Sequence, residues 1–283
     1  MASVAETVSH TTGMRRSTDW LLVISGGTCL LMALVALLGP FLVPYPPNQT
    51  DVLNASQGPS AAHLLGTDGL GRDLLSRALV GARMSFAGPG IIVLTSAFFG
   101  TLLAIYAAWH GGLVDTILNR LLNVMFAVPG ILVAVIASAV FGAGFWAPVL
   151  ALSLVYTPYY ARVVRSAAVR ERHMPYVEGL QLAGIPPWRI CTRHILVNVA
   201  PIVLAQGTVA FGTALVDFAA VSFLGLGVQP PTAEWGIMVA EGRSELLNSA
   251  PQQSLLAGTL IVLTVVAFNV LGERLTGKFG ANR

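Results

Sequence analysis

At 283 residues the chain is long enough for two soluble domains, yet 55% of its residues are hydrophobic and only 10% are charged, where soluble domains carry about 25% charged side chains. This excludes an ordinary soluble enzyme and makes the bilayer the better solvent. The net charge of +3, from 16 basic and 13 acidic residues, bears on membrane orientation and is not a nucleic-acid footprint.

Six segments are apolar enough to cross or nearly cross a membrane: residues 20–43, 86–109, 121–141, 145–161, 199–224 and 255–271. A crossing takes about 20 residues, so the fourth and sixth need part of their flanks. Their apolar residues run continuously, which favours helices over alternating barrel strands. The expected fold is an all-α membrane protein with six transmembrane helices. If the N-terminus and the loop around Met174 share one side, that side holds Arg15, Arg16, Arg120, Arg162, Arg165, Arg170, Arg172, Arg189, Arg193, Arg274, Lys278 and Arg283. Only Arg72, Arg77, Arg83 and Arg243 lie opposite. Twelve against four places both termini in the cytoplasm.

In chain order, residues 1–19 read as a cytoplasmic tail. Arg15 and Arg16 precede an apolar run too long for a cleavable signal core, so the first span, 20–43, is expected to be retained. Pro44, Pro46 and Pro47 end that helix, and residues 44–85 form an extracytoplasmic loop. Within it, HLLGTDGLGRDLLSRALVGARM (63–84) has helical periodicity from Arg72 to Arg83. Leu74, Leu75, Ala78, Leu79 and Ala82 fall on one side, with Arg72, Ser76, Arg77 and Arg83 largely away from it, as in an amphipathic helix at the outer interface. The glycines do not fit G-x-G-x-x-G, and no strand precedes them.

Residues 86–272 form a five-helix core. Gly88, Gly90 and Gly100 suit close helix contact in the second span, and residues 110–119 read as a short cytoplasmic link holding Asp115. Asn123 and Pro129 open the third span. The fourth ends in Tyr159 and Tyr160, expected at the membrane interface, with Arg162 and Arg165 just inside.

A polar island, MPYVEGLQLAGIPPWRICTRHILVNVAP (174–201), separates the fourth and fifth spans. Tyr176 to Ala183 can form a short helix with Glu178 in its first turn, where a carboxylate suits the positive end of the dipole. Gly184 can end it in the left-handed conformation, Pro186 and Pro187 enforce a turn, and Trp188 to Ile195 leads as a second helix into the next span. The fifth span holds the only carboxylate well inside a membrane segment, Asp217. Such a group faces a cavity or a partner. Asp217 either lines a path and meets a charged substrate group or pairs with a polar group of a neighbouring subunit.

Much chemistry is missing. No phosphate loop G-x-x-x-x-G-K-[ST] occurs, and Lys278 is the single lysine. His10, His63, His110, His173 and His194 are scattered without metal-ligand spacing, so they read as solvated and no metal site is expected. Cys29 and Cys191 do not form a disulfide framework. The single intramembrane carboxylate and the lack of an internal repeat argue against an ion-driven secondary transporter.

Several of these stretches resemble one family. Tyr176, Val177, Glu178, Ala183, Gly184, Trp188, Arg189, His194, Ile195, Leu196 and Asn198 match the "YVEAA…GA…W.I…HILPN" loop of ABC importer permeases, in particular the C subunit of dipeptide, oligopeptide and nickel permeases. The segment from Gly66 to Arg83 resembles "LGTD.LGRD..SR...GAR", and Ser222 to Pro231 with Glu234, Trp235 and Gly236 resembles "LSFLGLGVQPPTPEWG". The likeness runs from about Gly66 to Gly272, and residues 273–283 form a divergent cytoplasmic tail.

The resemblance implies a type I ABC importer permease fold, with residues 171–197 as the cytoplasmic coupling loop. Tyr176, Glu178, Gly179, Ala183, Gly184, Trp188 and Arg189 would contact the ATPase. Asp217, Ser222 and Phe223 become candidates for the pore or a subunit interface. Gly227, Gln229, Glu234 and Trp235 become candidates for contact with an extracytoplasmic binding protein. It further implies a second homologous permease, two ATP-binding subunits that hold ATP and Mg, and no cofactor on this chain. The cargo implied is a dipeptide or oligopeptide, with nickel chelates or haem as the alternative. Gly179-Leu180 stands where the family has two alanines, which loosens the first coupling helix by roughly 1 kcal/mol. Val197 replaces a proline and Asn123 an aspartate.

Overall fold

In the computed structural model, residues 20–281 are described. The expected tail 1–19 lies outside them. The first crossing helix, α1, spans Trp20–Leu38 and is followed by a short 3-10 turn, Gly39–Phe41. The next helix, α2, runs unbroken from Leu74 to His110 through Pro89. The amphipathic segment expected as a separate interfacial helix is thus the first turns of the second span. Its N-terminus is fixed by Asp73, whose carboxylate accepts from the Ser76 backbone N–H at 2.8 Å and from the Ser76 hydroxyl at 2.7 Å. At 1.5 Å per residue α2 is about 55 Å long, more than a bilayer core needs, so one end projects beyond it.

The expected link 110–119 is mostly helical. Gly111 (φ +64°) redirects the chain into α3, Gly112–Phe126, and a break at Ala127–Pro129 turns it by 76° into α4, Gly130–Phe141. Helix α5 spans Trp146–Arg172, followed by the short α6, Pro175–Leu182. Helix α7, Pro187–Ile190, passes through one π turn, Cys191–Ile195, directly into α8, Leu196–Phe223. Two short helices, α9 (Trp235–Glu241) and α10 (Arg243–Leu247), precede α11, Gln252–Ala281.

Four stretches are long and apolar enough to cross a membrane, Trp20–Phe41, Leu74–His110, Pro187–Phe223 and Gln252–Lys278, and the bent α3–α4 pair makes a fifth if it is one span. Helix α5 is long enough but less apolar, and packing explains why. It lies inside the bundle, with Val149, Leu152, Tyr160, Ala161, Val164 and Ala168 fully covered, so it needs little lipid-facing apolar surface. The Tyr159–Tyr160 pair sits mid-helix within the bundle, not at an interface belt.

Helix α5 packs most extensively on α2; α8 lies against both and against α11, and α1 closes over α11 and α2. Small residues set these distances. A Cβ on Gly100 would stand 2.6 Å from Tyr160 Cβ and 2.8 Å from Thr157 O, and one on Gly88 would strike the Phe218 ring at 2.9 Å. Gly90, in contrast, faces open space. Two ends result: a cap end, where residues 63–77 meet α9 and α10, and a loop end, where α5, α6 and α7 meet.

Candidate functional site

At the loop end, α6 packs through Val177 into a cluster with Ile190, Ile195 and Val199, against Ala104 and Ala108 of α2 and Val164, Ala167 and Ala168 of α5. Its C-terminus is a Schellman motif. Gly184 takes φ +75°, its N–H donates to Gln181 O at 3.0 Å, and the Ile185 N–H donates to Leu180 O at 3.1 Å. Pro186 and Pro187 then start α7 as N-cap and first helical residue.

Beneath this hairpin lies a polar knot that the sequence reading missed. Glu171, buried at the end of α5, accepts from the Tyr176 hydroxyl at 2.7 Å and from Asn198 Nδ2 at 2.6 Å. Asn198 Nδ2 also donates to Tyr176 Oη at 3.1 Å. The knot ties α5, α6 and α8 together. Arg172 adds a link to α2 by donating to Ala108 O at 2.7 Å.

The opposite side of the hairpin faces outward. Glu178, Gly179, Ala183, Gly184, Trp188 and Arg189 are exposed, and the Arg189 guanidinium lies 5.3 Å from the Trp188 ring centre. Trp188 is 61% exposed, and Leu182, absent from the candidate residues, is 90% exposed. Leu182 could have been found by helical spacing: it lies four residues after Glu178, away from the buried Val177. A large aliphatic and an indole, both exposed on one hairpin that also carries Glu178 and Arg189, have the composition of a docking surface.

Within the bundle, Asp217 is half-buried, and its Oδ2 accepts from the Tyr156 hydroxyl of α5 at 2.8 Å. One hydrogen-bond donor to it thus comes from within the chain. Further along α8, Gln206 Nε2 donates to the Tyr159 hydroxyl. Of the other pore or interface candidates, Phe223 is 41% exposed, whereas Ser222 is fully buried beneath Gly227.

The cap end corrects the expected outer contacts. Gln229 is exposed and folds back to donate to Gly225 O and Gly227 O, both at 2.9 Å. Gly227, Glu234 and Trp235 are buried within the chain and offer no surface to a binding protein. Glu234 caps α9, accepting from the N–H groups of Gly236 at 2.8 Å and Ile237 at 3.0 Å and from the Ser85 hydroxyl at 3.0 Å. The Trp235 indole donates to Ala78 O at 3.0 Å. Burial pushes the Glu234 carboxyl above the usual carboxylate range.

Arg72 and Arg77, expected to turn away from the apolar face, are buried too. Arg72 Nε donates to Asp68 Oδ2 at 2.5 Å and its Nη2 to Glu241 Oε2 at 3.1 Å; Arg77 Nη2 donates to Glu241 Oε2 at 2.8 Å. Two carboxylates thus hold two guanidinium groups inside the cap. His63, read as solvated, has its Nδ1 3.0 Å from Asp73 Oδ1. Cys29 and Cys191 are free, and among the described residues no group of His, Cys, Asp and Glu could hold a metal ion.

A chain of apolar crossing helices with a polar, knotted hairpin at one end and a charged, closed cap at the other is a polytopic membrane transport subunit. The chain belongs to the family of binding-protein-dependent transport system inner membrane components, whose model matches residues 100–280. A second model, the N-terminal TM domain of oligopeptide transport permease C, matches residues 17–59. Among similar proteins, the glutathione transport system permease protein GsiD of Pectobacterium atrosepticum is 38% identical over 254 residues, covering 89% of this chain and 84% of that protein. The dipeptide transport system permease protein DppC of Alkalihalophilus pseudofirmus is 36% identical over 242 residues, covering 86% and 79%. The chain is thus a multi-pass permease subunit of an ABC importer, a transport component and not the ATPase.

Proposed function

We propose that this permease carries peptides, as the dipeptide and glutathione transport systems named for its relatives do, and that the hairpin 171–197 transmits ATP-driven motion to the pore. In this reading the polypeptide crosses six times, through α1, α2, the bent α3–α4 pair, α5, α7–α8 and α11, with both termini in the cytoplasm. The hairpin docks on one of two ATP-binding subunits, where ATP and Mg are held; a second, homologous permease completes the path, and a binding protein delivers cargo from outside.

The observation that carries the coupling role is the pairing of an exposed face with a buried knot. Glu178, Leu182 and Trp188 face outward, while Glu171, Tyr176 and Asn198 join the underside of the same hairpin to α5 and α8. A push on α6 is passed to two crossing helices by hydrogen bonds, and α7 continues into α8 without a loop to absorb it. Replacing Glu178 by alanine, or Gly184 by a bulky residue, is expected to abolish substrate-stimulated ATP hydrolysis by the assembled importer while the permease still inserts. Full stimulation in both variants would remove the coupling assignment.

A further inference from the structure

Helix α8 carries a stripe of residues spaced for one helical face, Gln206, Thr213, Asp217 and Ala220, which Leu224 continues at the C-cap. At Ala210 the stripe is covered by the core cluster that holds Tyr156 and Tyr160. Beyond it Thr213 is exposed, Asp217 and Ala220 are half-buried, and Leu224 is 56% exposed. A carboxylate on this open face is not tolerated by lipid hydrocarbon, so it faces a water-filled path or another subunit.

Tyr156 already supplies Asp217 with a hydrogen-bond donor, and no ion pair to Asp217 forms among the described residues. Six residues of α8 follow Asp217, from Phe218 to Phe223, so the carboxylate lies about 9 Å inside the cap end of the helix. We propose that Asp217, positioned by Tyr156, is a transient binding site for the α-ammonium group of the peptide as it enters the path, which rests on the peptide-importer reading above.

The donor and acceptor inventory fits that group. The Tyr156 O–H donates a hydrogen bond to Asp217 Oδ2 and keeps its oxygen lone pairs, so Oδ1 of Asp217 and Oη of Tyr156 are both acceptors. A primary ammonium has three N–H donors to share between them. A hard divalent cation would require six or more oxygen ligands, usually with further carboxylates. Dipeptides and glutathione, the cargoes for which the two relatives are named, both bear a free α-ammonium while their side chains differ. A single carboxylate with one supporting hydroxyl also holds such a group weakly enough for it to leave, as conduction requires.

The test uses the assembled importer with its binding protein in proteoliposomes, supplied with radiolabelled dialanine or glutathione. Asp217→Asn is expected to lower the kcat/KM of uptake about tenfold or more, with Asp217→Glu recovering most of it. The second permease should be retained in the complex. In a Cys29→Ser, Cys191→Ser background, Asp217→Cys should react with an externally added cationic methanethiosulfonate, and saturating dipeptide should slow that reaction. Wild-type uptake in Asp217→Asn, no protection of the cysteine, or loss of the second permease from Asp217→Asn would each overturn the proposal, the last by making Asp217 a subunit contact. Absence of ATP-dependent uptake by the wild type would overturn the peptide reading and this proposal together.

Discussion

The two ends of the bundle handle polar groups in opposite ways. At the cap end Arg72, Arg77, Asp68 and Glu234 are buried and answered within the chain, and the Trp235 indole is spent on Ala78 O. At the loop end Glu171 is buried and held by the Tyr176 and Asn198 side chains, while Glu178, Leu182 and Trp188 face outward. A charged or aromatic residue in a loop is therefore no guide to a contact surface by itself. At the cap such residues hold the fold together; at the hairpin they are exposed.

Substitutions that separate stability from coupling can break this contrast. The largest effect is expected at Asp68, fully buried with Arg72 and Arg77 beside it. Asp68→Asn leaves two buried guanidinium groups short of a counter-charge and should destabilise the permease by about 3–5 kcal/mol. Thermal unfolding in detergent would measure it. Glu178→Ala, on the exposed face, should change stability by less than about 0.5 kcal/mol while the proposed coupling role predicts loss of substrate-stimulated ATP hydrolysis. Equal losses of stability in the two variants would erase the distinction between the ends.

A smaller effect should follow pH at the cap. Because burial raises the folded-state pKa of Glu234, the folded chain holds a proton there more tightly than the unfolded chain does. This group's contribution to stability is full below the ordinary carboxylate value of about 4.3 and is lost as pH rises through the raised folded value. Glu234→Gln, which keeps an oxygen to accept from the α9 N–H groups, should flatten that part of the melting-temperature profile. An unchanged profile would mean that hydrogen bonds to the carboxylate offset its burial.

The smallest effect is expected at Gly179, where an added Cβ meets nothing within 4 Å. Gly179→Ala should stabilise α6 by about 1 kcal/mol, read as slower hydrogen exchange of its amides, with transport retained. Slower exchange without any gain in coupling would show that the rigidity of α6 is not what limits transmission.

Much of this division was legible in the sequence, though unevenly. Continuous apolar runs marked the four helices that are long and apolar enough to cross a membrane, and Gly184 with Pro186-Pro187 gave the hairpin its turn because each constrains the backbone locally. The cap was not legible, since its pairs join distant segments. Arg72 and Glu241 are 169 residues apart and Arg77 and Glu241 are 164 apart, so helical periodicity around Arg77 alone assigned it to a surface. For the same reason Glu234 and Trp235 were read as outward-facing: their partners, Ser85 and Ala78, lie on α2. The elbow between α3 and α4 was hidden because Pro129 marked a helix start without revealing the 76° turn, before which Arg162 of α5 holds α3 by donating to Asn123 Oδ1 at 3.0 Å. Leu182 was overlooked because hydrophobic residues were assigned to the membrane or the core, although its helical position faces away from Val177.

Site-directed crosslinking at position 182 tests the central claim most directly. With Cys29 and Cys191 replaced by serine, Leu182→Cys in the assembled importer should crosslink to an ATP-binding subunit through a short bifunctional thiol reagent, with a yield that changes on adding ATP and Mg. Crosslinking only to the binding protein, or to no nucleotide-binding subunit in any nucleotide state, would contradict the account.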